Sequence, residues 1–119
     1  MGSLKQMTKD LKYYLNQLLN RFETCDPPET FSDKAFFLKM KEETAPIYQL
    51  LEQWEEEALR LIKERCMSVH PHQVMSTKEN IEMILLHSYY IDVRRKRYME
   101  LQQSSQYICD QILRDLSSF

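Results

Sequence analysis

A chain of 119 residues is one domain in size and buries roughly two thirds of its unfolded surface on folding, enough for one real core. Hydrophobic residues at 43% and charged residues at 29% exclude a chain disordered throughout, and a formal net charge of -2 with an isoelectric point of about 5.9 gives no general attraction to nucleic acid. The single glycine, Gly2, leaves no internal loop able to bring bare backbone against a phosphate, which excludes the P-loop, the dinucleotide fingerprint and the nucleophile elbow, and it disfavours tight β-hairpins.

From Leu4 the apolar residues fall at Leu4, Met7, Leu11, Tyr14, Leu18 and Phe22, the three-four spacing of one helical stripe, widened by Leu15 and Leu19. Lys5, Lys9, Asp10 and Lys12 interrupt any signal-peptide core here, and Gln6 breaks the myristoylation pattern. "ETCDPPETFSD" follows, and Pro27 and Pro28 make it a linker.

Ser32 is a candidate cap for a helix carrying Phe36, Phe37 and Met40, and Pro46 interrupts the run. The expectation is a short helix over 33 to 43, then a fresh start with Thr44 as cap and Pro46 in the first turn. That second segment presents Ile47, Leu50, Leu51, Trp54, Ala58, Leu61 and Ile62 on one face and a Glu56, Arg60, Glu64 charge ladder on another.

"CMSVHPHQV" closes the segment, and Pro71 suits the opening of the next. From Val74 to Leu116 the period stays helical without a proline or glycine, a run of ~65 Å if straight. A compact domain requires it to fold back. Doubling it about its middle sets Ile81 level with Ile112, Leu85 with Ile108, Ser88 with Ser105 and Ile91 with Gln102, so the turn is expected within Arg94 to Tyr98. The fold expected is all-α: a single domain over 1 to 119, an up-and-down four-helix bundle with a short extra helix in the connection between helices 1 and 2. The alternative keeps 73 to 117 as one long helix packed on a second subunit.

Residues that could carry chemistry are few. Arg94, Arg95, Lys96 and Arg97 are a candidate phosphate-contacting run, yet Asp92 and Glu100 flank them and no basic face surrounds them, so nucleic acid is the disfavoured partner. His70 and His72 offer imidazoles without the third ligand, or the H-E-x-x-H spacing, that a metal enzyme requires. Glu55, Glu56 and Glu57 are consecutive on a helix and point apart, so they do not converge on a substrate. A polar cluster of Glu57, Arg65, Asn80 and Lys96 at one bundle end is a further candidate. The seven tyrosines at helical spacing suit packed rings.

Three widely spaced cysteines, Cys25, Cys66 and Cys109, give neither a disulfide framework nor a C-x-x-C zinc signature and suit a reducing cytoplasm. No stretch reaches the ~18 apolar residues of a membrane span.

The stretches "WEEEALRLIKER", "VHPHQV", "KENIEMILLHSYY" and "KRYMELQQSSQY" carry a resemblance to the YppE-like family, small proteins of Gram-positive bacteria grouped as a domain of unknown function. The matching positions are Trp54, Ala58, Leu59, Leu61, Ile62, Lys63, Arg65, His70, Gln73, Asn80, Ser88, Tyr89, Lys96, Arg97, Ser104 and Tyr107. The resemblance covers a little over half the chain; residues 1 to 45 follow it only through Phe36 and Phe37, and Pro46 comes just after them. It implies a four-helix up-and-down bundle and assigns no catalytic residue and no cofactor.

The function expected is therefore a cytoplasmic, non-enzymatic macromolecular interaction module. It has no catalytic, cofactor or metal residues, and its interaction surface is drawn from Arg65, His70, Arg94, Arg95, Lys96 and Arg97. A protein partner and a monomeric state are favoured over nucleic acid, membrane or a dimer. Nucleic-acid binding through Arg94 to Arg97, and a metal-dependent enzyme using His70 and His72, are the alternatives.

Overall fold

The Ser3 hydroxyl accepts from the Gln6 amide at 3.1 Å and opens α1, Leu4–Thr24, whose stripe of Leu4, Leu11, Leu15 and Leu18 is buried. The computed structural model describes residues 3–64 and 67–117. The chain then turns through the proline linker. Asp33 caps α2 by accepting from the Phe36 amide at 3.0 Å, taking the place expected of Ser32 one residue earlier.

α2 runs unbroken from Lys34 to Lys63 with Pro46 inside it, so the expected short extra helix and fresh start at Thr44 are not formed. Proline within a helix costs about 3 kcal/mol, because it removes a hydrogen bond and crowds the carbonyl four residues back. Here that carbonyl belongs to Glu42, which is exposed like Pro46 itself, so water can satisfy it. The buried stripe continues across the proline at Met40, Thr44, Ile47, Leu51, Trp54 and Ala58. Each large apolar side chain on it is worth roughly 1.5–3 kcal/mol of burial, so keeping the stripe aligned outweighs the lost bond.

Pro71 stands at the first position of α3, Pro71–Tyr90, and Gln73 Oε1 accepts from the His70 amide at 2.9 Å. Ile91 ends α3 in the left-handed conformation, φ 51 and ψ 46, with its amide donating to the His87 carbonyl at 2.9 Å. α4, Arg95–Ser117, returns antiparallel. The doubling-back is thus real, but the connection is Ile91–Arg94, and Arg95, Lys96 and Arg97 form the first turn of α4 rather than a solvated loop. The cause is Tyr98. Its ring is 0% exposed and stacks on Phe22 at 3.8 Å, which requires the helix to have begun before it. The hairpin is accordingly tighter than the sequence pairing: Ser88 meets Tyr98 at 2.6 Å, not Ser105, and Ser105 Oγ is buried without a hydrogen-bond partner among the described residues.

α1 packs against the other three helices and α3 against both its chain neighbours, while among the described residues the backbones of α2 and α4 do not pack against each other. Two buried polar links fix this arrangement. Trp54 Nε1 donates to Thr8 Oγ1 at 3.0 Å, tying α2 to α1. Gln102 Nε2 donates to the Leu15 carbonyl at 2.9 Å and to the Tyr98 hydroxyl at 3.2 Å, tying α4 to α1 and, through Ser88, to α3. Buried polar groups without partners are expensive, so these links specify which helix faces which.

Candidate functional site

The antiparallel order brings the end of α1, the linker, the start of α2, the end of α3 and the start of α4 to one end of the bundle. Aromatic rings gather there. Phe36 meets Tyr89 and Tyr90 edge-on at 6.2 and 5.3 Å, and Phe31, in the linker, meets Tyr90 at 5.6 Å. The Arg21 guanidinium lies 3.9 Å over the Tyr89 ring, whose hydroxyl donates to Glu43 at 2.8 Å. Burial, then the Glu43 carboxylate, push the Tyr89 phenol up to about 12. Phe31 is nonetheless 61% exposed, and Phe37 and Leu38, in the first two turns of α2, are 47% and 54% exposed. Large apolar groups so open to water at one end of a closed bundle are the least settled part of its surface.

The same end carries two opposed sets of charge. Arg94, Arg95, Lys96 and Arg97 are all exposed on the α3–α4 side, and Glu23, Asp26, Glu29 and Asp33 are exposed on the α1–α2 side. Arg95 pairs with Glu23 at 3.2 Å and Arg97 with Glu100 at 3.8 Å. Arg94, Lys96, Asp26 and Glu29 have no ion pair among the described residues. A shallow groove lined by Arg95, Lys96, Met99, Glu100 and Gln103 continues from the basic side onto α4.

The remaining sequence candidates are placed elsewhere. His70 is exposed at the start of α3, and a 20-residue helix puts it about 30 Å from Arg94. Arg65 lies outside the described residues. His72 Nε2 is 3.5 Å from Ser76 Oγ, and His87 sits at the far end of α3 with Nδ1 2.8 Å from Asp92. Among the described residues no three His, Cys, Asp or Glu side chains gather as a metal site. The expected cluster of Glu57, Asn80 and Lys96 does not assemble: Glu57 lies near the end of α2, where it holds Arg60, and Lys96 opens α4 at the opposite end of the bundle. At that opposite end Asp115 takes the Ser68 amide at 2.9 Å and the Ser68 hydroxyl, which closes the α2–α3 connection onto α4.

Two features of the basic-aromatic end were not read from the sequence, Phe31 on Tyr90 and Arg21 on Tyr89. Phe31 belongs to no helical stripe, so periodicity carries no signal for it. Arg21 reads as an ordinary charge near a helix end.

A model of a bacterial domain of unknown function, DUF1798, matches residues 8–116. The chain belongs to the DUF1798 family. Among solved structures the chain is similar to the protein yppE from Bacillus subtilis. Its crystal structure superposes on this chain with a TM-score of 0.81 at 22% identity, covering 97% of this chain and 93% of that one. Its solution structure gives a TM-score of 0.79 at 23% identity, with coverage of 99% and 97%. At that identity the likeness establishes the fold alone, a helical bundle. No curated protein matches the chain. Among the described residues no helix is long and apolar enough to cross a membrane.

Proposed function

We propose that this DUF1798 protein is a non-enzymatic interaction module that binds another protein through the end of the bundle formed by Phe31, the first turn of α2 and Arg94 to Arg97. The observation that carries the reading is the coincidence of a 61% exposed phenylalanine with unpaired charges of both signs on one face. Aromatic and arginine side chains are the groups that dominate protein interfaces, and mixed charge around them supplies specificity. Nucleic acid is a poorer fit, because Glu23, Asp26, Glu29 and Asp33 place negative charge beside the four cations. The described cysteines, Cys25 and Cys109, are free thiols, which suits the cytoplasm as the compartment.

The test is affinity capture from nuclease-treated bacterial extract with the native chain and with Phe31→Ser/Arg94→Glu as bait. A protein retained by the first and lost from the second supports the reading. Retention equal in both, or a bound fraction that vanishes with nuclease, overturns it. Single-stranded RNA binding that weakens steeply with salt would put the nucleic-acid reading in its place.

A further inference from the structure

The exposed end is complementary to itself, and we infer that its partner is a second copy of this chain, docked end to end about a two-fold axis. The inference rests on the interaction surface proposed above and names its occupant. A two-fold contact brings one patch against an identical patch, so whatever lies on one side of the axis must be satisfied by what lies on the other. This end meets that condition. Among the described residues its α1–α2 side presents Asp26 and Glu29 without ion pairs and its α3–α4 side presents Arg94 and Lys96 without ion pairs. Rotation about an axis through the apolar middle sets each copy's acidic side against its partner's basic side, twice over. Phe31, Phe37 and Leu38 supply exposed apolar area to be covered.

The exposed stripe of Met75, Met83 and Leu86 on the outer face of α3 has no comparable pattern, because no opposed pair of unsatisfied charge sets flanks it. Size also bounds the contact. A cross-section of 29 × 20 Å limits each copy to about 600 Å² of buried surface, the low edge of specific interfaces. The dimer is therefore weak and reversible, held by charge at low salt and by Phe31 at its centre.

Sedimentation equilibrium up to about 1 mM chain at low salt is the test. The expected mass rises from 14.4 kDa toward twice that value with concentration, and the rise shrinks as salt screens the pairs. Arg94→Glu/Lys96→Glu and Asp26→Lys/Glu29→Lys are each expected to stay monomeric, since each sets like charge against like. Mixed in equal amounts they are expected to form a heterodimer, because one now carries acidic groups on both sides and the other basic groups. Phe31→Ser weakens all of these associations.

A native chain that stays monomeric across the whole range overturns the inference. So does a native dimer that both charge variants retain, or two monomeric variants that fail to associate when mixed, their folds being checked by circular dichroism. If the native chain is monomeric yet captures a different protein through the same residues, the interaction surface stands and only its occupant was wrong.

Discussion

The indole Nε1 of Trp54 donates to the hydroxyl of Thr8 at 3.0 Å, and that hydroxyl donates in turn to the Leu4 carbonyl at 2.7 Å. Trp54 and Thr8 are both 0% exposed, so no water can replace either partner. Thr8→Val keeps the shape and removes the acceptor. It is expected to cost about 1–3 kcal/mol, the range for a buried donor left unsatisfied. Trp54 is the only tryptophan, so its fluorescence in a urea titration reads the loss at the α1–α2 contact itself. An unchanged midpoint would remove the link from the account of why α1 and α2 pair.

Pro46 separates two descriptions of the second helix. If it began a new helix it would sit harmlessly in a first turn, and Pro46→Ala would change little. Inside a continuous helix, with Glu42 and Pro46 both facing solvent, alanine restores an amide donor to the Glu42 carbonyl and sacrifices no buried contact. Pro46→Ala is therefore expected to stabilise the fold by about 1–3 kcal/mol. Denaturant titration decides it, and a neutral or destabilising result would contradict the continuous helix.

That contrast also marks where the sequence was legible. The stripes at Leu4 to Leu18 and Ile47 to Ala58 announced their helices through spacing alone, because burial enforces the period. Pro46 is misleading on local propensity alone, because the tertiary stripe that crosses it overrides that propensity. The hairpin was foreseen from its length, but its register was set by Tyr98, whose burial on Phe22 joins residues remote in sequence. Of the proposed binding end, Arg94 to Arg97 were visible as a run of charge. The acidic linker residues and Phe31, which meets Tyr90 at the end of α3, joined them at one end only when the helices met.

Tyr89 gives the fold an alkaline limit. Burial and then Glu43 raise its phenol from 10.0 to about 12, and burial raises the Cys109 thiol from 9.0 to about 12. A group whose folded pKa lies above its unfolded one contributes stability fully below the unfolded value and loses it as pH rises. Stability is therefore expected to fall from about pH 9 through the thiol and from pH 10 through the phenol, approaching its floor near 12. Melting temperatures across this range for the native chain and Tyr89→Phe provide the check. The native chain should lead at pH 8 and lose that lead above 10. A constant gap between them would show that the phenol carries no proton linkage.

Ile91 is the one described residue outside glycine with positive φ, at 51°, and it is β-branched, the kind of side chain that tolerates the left-handed region least. It sits there because α3 must stop in time for Tyr98 to enter the core from α4. Replacing it with glycine alone would mix relief of strain with lost packing, so the informative comparison is between Ile91→Gly and Ile91→Ala, which remove nearly the same contacts. At a helical position alanine would be the more stable by about 1 kcal/mol. Here the order is expected to reverse, with glycine ahead by about 1 kcal/mol, because alanine retains the clash of its Cβ with the following carbonyl. Urea unfolding of the two variants measures the difference directly. Alanine equal to or above glycine would mean that residue 91 is helical in solution, and the connection to α4 would then have to begin later, inside the arginine run.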